Sequence, residues 1–529
     1  MWKRIAADLG ADSRMLTLMG AAVASAALAA ACSESSVEPL GLAEQPLADI
    51  RPAQVRSCPA NPDYIVDDVE SLHDAHTGAP PGSVIAIEGM IVISADINAD
   101  TDGHVFTCAT PGSGIAAEPG VGVNWLFIVR GRGVKIENLV LDASEALDGA
   151  VLALACFGPV GDVCGSPDER AEEVEIAHND LSCSSNSCVF LAGAGYGETG
   201  GRVHDNHFVT PGGTAAAIQV GGFRNVTVER NTIHADGPAG WGIMGNADVG
   251  LLIRDNHVMG PWDRSLHLLD GVYESEVVGN HFVGAMFWGV GAAFADGLRF
   301  ENNIVGCGEI GCMIAAASPG AIVAANRFTS AGSSTGVHLQ QGTDGMRIER
   351  NVVIATEPST GEDFGGIRIR DGADVVVRKN QVIGPWANGI SLRLTDRDRI
   401  AENEIRDAVG AGIRGTEVRD DIFATNKVTG SGLAGIFLSD ACGNRLVGNN
   451  LNGNADGLGM WFDESTGANV FVGQGSVVVN NGDYDCDGDG VVDPNLISGA
   501  GSILTGHAAG THGAALGPAS SQAAHKGLQ

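Results

Sequence analysis

The stretch Val226–Ile233, reading VTVERNTI, recurs down most of this chain and constrains the fold more than any other feature. Its form is apolar–x–apolar–x–x–Asn–x–apolar. The asparagine returns at Asn179, Asn206, Asn231, Asn256, Asn280, Asn303, Asn326, Asn351, Asn380, Asn403, Asn426 and Asn450, with neighbouring copies 23 to 29 positions apart. An outlying copy, VKIENLVL, holds Asn138. A step this steady marks a stacked repeat.

Each repeat carries a second marker ahead of the asparagine, a Gly- or Ala-rich turn followed by apolar alternation. Examples are Ile218 and Val220, Val337 and Leu339, Ile367 and Ile369, and Ile436 and Leu438. Alternation of period two is the strand signal, and the alternating apolar set shares one buried face. Runs so short and so rich in Gly, Val and Ile exclude a helical repeat. The expected fold is all-β, a parallel β-solenoid of about 13 coils stacked at ~4.8 Å. Asparagines turning inward at one corner then bond each other and the backbone from coil to coil, because a buried amide needs such partners. They are structural, and no catalysis is assigned to them.

The pattern resembles the right-handed parallel β-helix family, the pectin-lyase-like superfamily, over roughly residues 60–480. Tyr64–His76 reads as an amphipathic helix with Ile65, Val66, Val69 and Leu72 on one side, followed by PPGSVIAIEG. Such a helix would cap the open end of the solenoid, whose edge otherwise meets water, and this opening also resembles the family. The resemblance implies fold far more than activity. The Asn-Thr-Asp, Asp-Asp and Gly-His-Gly set of polygalacturonases, the Trp-Ile-Asp-His of pectate lyases and the Asp-Pro-His-Asp of alginate epimerases are missing from the chain.

Residues 1–31 read as a signal peptide, with Lys3, Arg4 and Arg14 ahead of an apolar run. The run ends LAAAC, which resembles a lipoprotein cleavage box with Cys32 lipidated; cleavage after an Ala-x-Ala is the alternative. Residues 32–57 would tether the domain, 58–480 form the β-helix, 481–498 an acidic cap and 499–529 a disordered tail. No later segment is long and apolar enough to span a bilayer. The expected location is outside the cytoplasm: an outer-membrane or surface lipoprotein, or a periplasmic or extracellular protein. Removing Cys32 from the 11 cysteines leaves an even set for disulfides. Proximity pairs them as Cys58–Cys108, Cys156–Cys164, Cys183–Cys188, Cys307–Cys312 and Cys442–Cys486.

A net charge of −33 argues against nucleic acid as partner. The run DYDCDGDGVVDP crowds Asp483, Asp485, Asp487, Asp489 and Asp493 around two glycines. It resembles the D-x-D-x-D-G calcium loops of EF-hand and thrombospondin-type repeats, without the Glu at the twelfth position, and implies a structural Ca²⁺.

Alternation also fixes what points outward. The outward pairs, coil by coil, are His267/Leu269, Gly291/Ala293, Ile314/Ala316, His338/Gln340, Arg368/Arg370, Ser391/Arg393, Arg414/Thr416 and Phe437/Ser439. On this acidic chain His338, Gln340, Arg368, Arg370, Arg393 and Arg414 make a local cationic strip across four coils. Arg forks suit carboxylates, so the expected partner is an anionic polysaccharide. Its cleavage by β-elimination would use His338, Arg368 and Arg393, while Gln340, Arg370, Arg414 and Trp386 bind it. The competing reading pairs these arginines with Asp363, Asp371, Asp374, Asp396 and Glu417 on a solvated face. His207, His257 and His281, each just after a ladder asparagine, could hold a metal. The expected state is a monomer, and a non-catalytic cell-surface or envelope scaffold or adhesion protein is the alternative function.

Overall fold

The computed structural model describes residues 58–504, apart from 156–170, 194–199, 334, 360, 362–363, 464, 473–476, 481–482 and 501. Three parallel sheets of 18, 14 and 17 strands stack through these residues, the second confined to 90–429, and the chain visits them in turn. One coil shows the plan. Val226–Glu229 lies in the first sheet, Thr232–Ala235 in the second and Ala239–Asn246 in the third, before Leu252–Arg254 re-enters the first. The fold is the expected all-β parallel β-helix.

Inside the three faces a continuous core of Ile, Val, Leu and Phe stacks side chain on like side chain, among them Ile243, Leu266, Val290 and Met313 in the third sheet. At the corner between first and second sheets the chain turns on one residue of positive φ: Arg230 at 51°, Asp255 at 55°, Arg350 at 56°. For a non-glycine residue this backbone is strained, and hydrogen bonds made by the next residue, the ladder asparagine, offset the strain. Asn231 donates from both its backbone N and its Nδ2 to Asn256 Oδ1, at 3.0 and 2.9 Å, and its Nδ2 also reaches Val203 O. Asn256 treats Asn280 the same way. Each amide therefore satisfies donors and acceptors in a place water does not reach.

The structure alters several boundaries. The ladder begins at Asn179, which reaches back to Leu139 N; Asn138 is the positive-φ residue before that place. At the far end the member is the buried Asn449, while Asn450 is exposed and caps Asn452 instead. About 13 coils is an undercount, because the first and last coils lack the marker. The stretch 95–130, irregular in sequence, supplies all three faces through Ile97–Ala99, Val105–Cys108, Gly114–Ala117 and Trp125–Val129. Leu496–Ser498 and Ser502–Leu504 still pair with the body, so the solenoid runs past 480 and the acidic run is a loop inside its last coil.

The capping helix is shorter than expected, Val69–Gly78, with Asp68 accepting from Ser71 N in a capping box. It buries Leu72 and Ala75, while Ile65 and Val69 are 60% and 46% exposed. Tyr64–Val66 is instead the first strand, paired with Val84–Ile87. Disulfides join Cys58–Cys108, Cys183–Cys188, Cys307–Cys312 and Cys442–Cys486. The signal peptide, Cys32, the tether, Cys156–Cys164 and residues 505–529 of the tail lie outside the described residues.

Candidate functional site

The outward columns of the third sheet fall where alternation places them. In register, His267, Gly291, Ile314, His338, Arg368, Ser391, Arg414, Phe437 and Trp461 form one column. Beside it run Ala316, Gln340, Arg370, Arg393, Thr416 and Ser439. His338, Gln340, Arg368, Arg370, Arg393 and Arg414 are thus brought together over four coils.

Aromatic rings shape this strip. The Arg368 guanidinium lies 4.6 Å from the Phe364 ring centre and Arg414 5.4 Å from that of Phe437, in cation–π contacts. Arg368 is only 8% exposed. Part of the competing ion-pair reading holds: Arg370 meets Asp371 at 3.4 Å and Arg393 meets Glu417 at 3.7 Å. Asp374 and Asp396 are taken by Arg397, and Asp363 lies outside the described residues. Arg414 makes no ion pair among the described residues, and its buried Nε has no hydrogen-bond partner there. A buried N–H in that position costs about 1–3 kcal/mol, which a ligand oxygen would recover. His338 adds no charge: burial first, then Arg368 and Arg370, push its imidazole down to about 4.

Trp386 is not a surface platform. It is 0% exposed, packed in the corner between second and third sheets, so it cannot stack on a ligand. Trp262 is likewise sealed, its Nε1 donating to Met259 O. His257 and His281 stack face to face, centroids 4.7 Å apart and 3° from parallel. Their in-plane lone pairs therefore run parallel instead of converging, and His207 sits two coils away with Thr232 between. Burial, then His281, depresses His257 to about 4.

In the acidic loop, carboxylate oxygens of Asp485, Asp487 and Asp493 lie within 4.8 Å of one another. Asp489 turns aside to accept from Val491 N, and Asp483 joins a short strand pair with Pro494. Backbone N–H groups of Gly488 and Gly490 donate to Asp485 and hold its carboxyl below the usual range.

Sequence reasoning missed one cluster. His178, His204 and Asp205 converge on the first sheet's outer edge, beside a cavity of about 360 Å³ that Lys135, Glu137 and Glu175 help to line. His204 contacts Asp205 Oδ2 through Nδ1 and Glu175 Oε1 through Nε2, both at 2.8 Å. Arg230 grips both oxygens of Asp205, and Lys135 holds Glu175 at 2.6 Å. With Asp205 and Glu175 each matched to a cation, this is a clasp between coils. Lys135, Glu175 and Arg202 alternate in charge in register, but the 40 positions from Lys135 to Glu175 fall outside the repeat step and hide the signal in the sequence.

Fold and face together define a class: a long parallel β-helix with a cationic, aromatic-lined strip on one sheet. A family model described as periplasmic copper-binding protein (NosD) matches residues 355–473. That stretch has no histidine, its one cysteine, Cys442, is in a disulfide, and its one methionine, Met460, is 0% exposed in the core, so it presents copper with no accessible soft ligand. No curated protein matches the chain. Among solved structures the chain is similar to the Azotobacter vinelandii mannuronan C-5 epimerase AlgE6 A-module, at 13% identity and TM-score 0.37 over 83% of this chain and 96% of that one. It is similar to the periplasmic alginate epimerase AlgG at 14% identity and TM-score 0.30, over 83% of each. The Dettilon tailspike protein aligns at 13% identity and TM-score 0.29, over 82% of this chain; the chain spans 64% of the tailspike's length.

Proposed function

We propose that this protein binds an acidic polysaccharide laid along the third sheet, with Arg370, Arg393 and Arg414 receiving carboxylates of successive sugars. The observation that carries the reading is the register that stacks these cations one coil apart on a chain of net charge −33. A repeating polymer is the natural ligand of a repeating surface, and Arg forks match carboxylate geometry. Binding without cleavage is the form the geometry favours. An imidazole held near 4, as in His338, is a weak base for removing a sugar C–H proton, and Arg368 lies under Phe364.

Alginate, polygalacturonate and glycosaminoglycan columns test this directly. The protein should be retained by at least one, without release of unsaturated product detectable by ultraviolet absorbance. Replacing Arg370 and Arg414 together by Ala should weaken retention at least about tenfold. Equal retention of the double variant would refute the site. The disulfides suit an oxidising, exported location. Lipidation of Cys32 and a structural Ca²⁺ held by Asp485, Asp487 and Asp493 belong to the same proposal.

A further inference from the structure

The strip occupies only four coils of its 17-stranded sheet. The coils before it present a different surface, and resting on the acidic-polysaccharide reading we propose that these coils form an adjoining subsite for an uncharged sugar. Trp241, Arg264, His267 and Trp288 build it, and the ligand is then a heteropolysaccharide in which uncharged residues alternate with or border acidic ones.

Trp241, Arg264 and Trp288 are vertical neighbours in one outward column, with Met244, His267, Gly291 and Ile314 in the next. Arg264 lies flat across Gly291, where a Cβ would come within 2.9 Å of its Cδ. Its charge is answered locally, Nη1 to Asp263 at 2.8 Å. The Trp241 ring leans on His267 with centroids 5.3 Å apart, and Trp288 reaches across Gly311 toward His338, 6.2 Å between rings. Burial, then Arg264, keeps the His267 imidazole uncharged. These coils therefore offer the half-buried Trp241 ring beside the 7% exposed Trp288, and no unanswered charge among the described residues.

It also offers hydrogen-bonding atoms that the protein leaves unused. Trp241 Nε1, Arg264 Nε, His267 Nδ1 and His338 Nε2 are all buried without a hydrogen-bond partner among the described residues. His338 itself is only 7% exposed. Buried polar atoms are paired almost everywhere in proteins, so their concentration on one outward face points to a ligand rich in hydroxyl or amide oxygens. Indole faces take the C–H side of a sugar ring, and the unused nitrogens take its oxygens.

Calorimetry with the full chain and two oligosaccharides of equal length tests the inference. One is a uronate homopolymer, polygalacturonate. The other is unsulfated hyaluronan, in which uronate alternates with an uncharged N-acetylhexosamine. Hyaluronan should bind about three- to tenfold tighter. Trp241→Ala and His267→Gln should remove that preference while leaving polygalacturonate affinity within twofold; Trp241→Phe should retain most of it, which separates stacking from misfolding. Arg414→Ala should weaken both ligands alike. Equal affinity for the two, unmoved by Trp241→Ala, would overturn the subsite and leave the cationic strip standing. Binding of neither would overturn the strip, and the subsite with it.

Discussion

Two ladders run up this molecule, and they are built differently. The first, at the corner between first and second sheets, is asparagine at every step from Asn179 to Asn449. The second, between third and first sheets, runs Asp398, Asp421, Asn444, Asn469, Asn495. The geometry is shared: Asp398 N donates to Asp421 Oδ1 at 2.7 Å, as Asn444 N donates to Asn469 Oδ1 at 3.0 Å. The chemistry is not. An amide donates as well as accepts, so Asn444 Nδ2 also reaches Val418 O. A carboxylate only accepts, and Asp398 Oδ2 is buried without a partner among the described residues. Burial, then the neighbouring Asp421, pushes Asp398 up to about 9, and burial pushes Asp421 up to about 7. One corner is therefore indifferent to pH, and the lower end of the other is not.

The sharpest way to break this comparison is to remove a rung from the first ladder. Asn256→Leu strands the two donors of Asn231 and the carbonyl of Val228, and should lower stability by about 3–5 kcal/mol in guanidinium unfolding, nearly equally at pH 5 and pH 8. A loss below 1 kcal/mol would mean the ladder is ornament.

The second ladder should respond the other way. A carboxyl whose pKa rises on folding, from 3.8 to about 9 for Asp398, contributes fully below the unfolded value, and that contribution drains away as pH climbs toward 9. Asp398→Asn should thus be neutral near pH 4 and stabilising by around 2 kcal/mol at pH 8. Asp421→Asn should show a smaller gain with the same sign. A gain that does not grow with pH would place the proton elsewhere.

The mildest effect concerns the end of that second ladder. Asp493 stands two residues before its last rung, Asn495, and shares the acidic loop with Asp485 and Asp487. Calcium should raise the melting temperature by about 2–5 °C, chelation should reverse it, and Asp485→Asn should erase it. The same rise with magnesium, or none with either ion, would remove calcium from the account.

Much of this was legible in the sequence because a strict repeat turns spacing into contact. The outward columns of the third sheet could be written down residue by residue from alternation alone, and they stand in that register. Errors came where the repeat is silent or ambiguous by one position. Asn449 and Asn450 are both asparagine, and only the positive φ of Gly448 decides which turns inward. The second ladder stayed hidden because aspartate in a turn reads as surface, and nothing in Asp398 announces its burial. Trp386 follows a Gly-Pro turn like a platform residue, yet its ring fills the corner. The ion clasp at His204 needed coordinates, since Lys135, Glu175, Asp205 and Arg230 come from four coils.

Everything rests on residues two dozen apart being vertical neighbours, and pulsed electron spin resonance measures that directly. Gln219 and Gln340 are five coils apart on the third sheet, and Gln219 and Ser439 nine. Spin labels on these pairs should give distances of about 24 and 43 Å, in proportion to coil number at ~4.8 Å per coil. Distances that fail to lengthen from the first pair to the second would contradict the stacked helix and every surface argued from it.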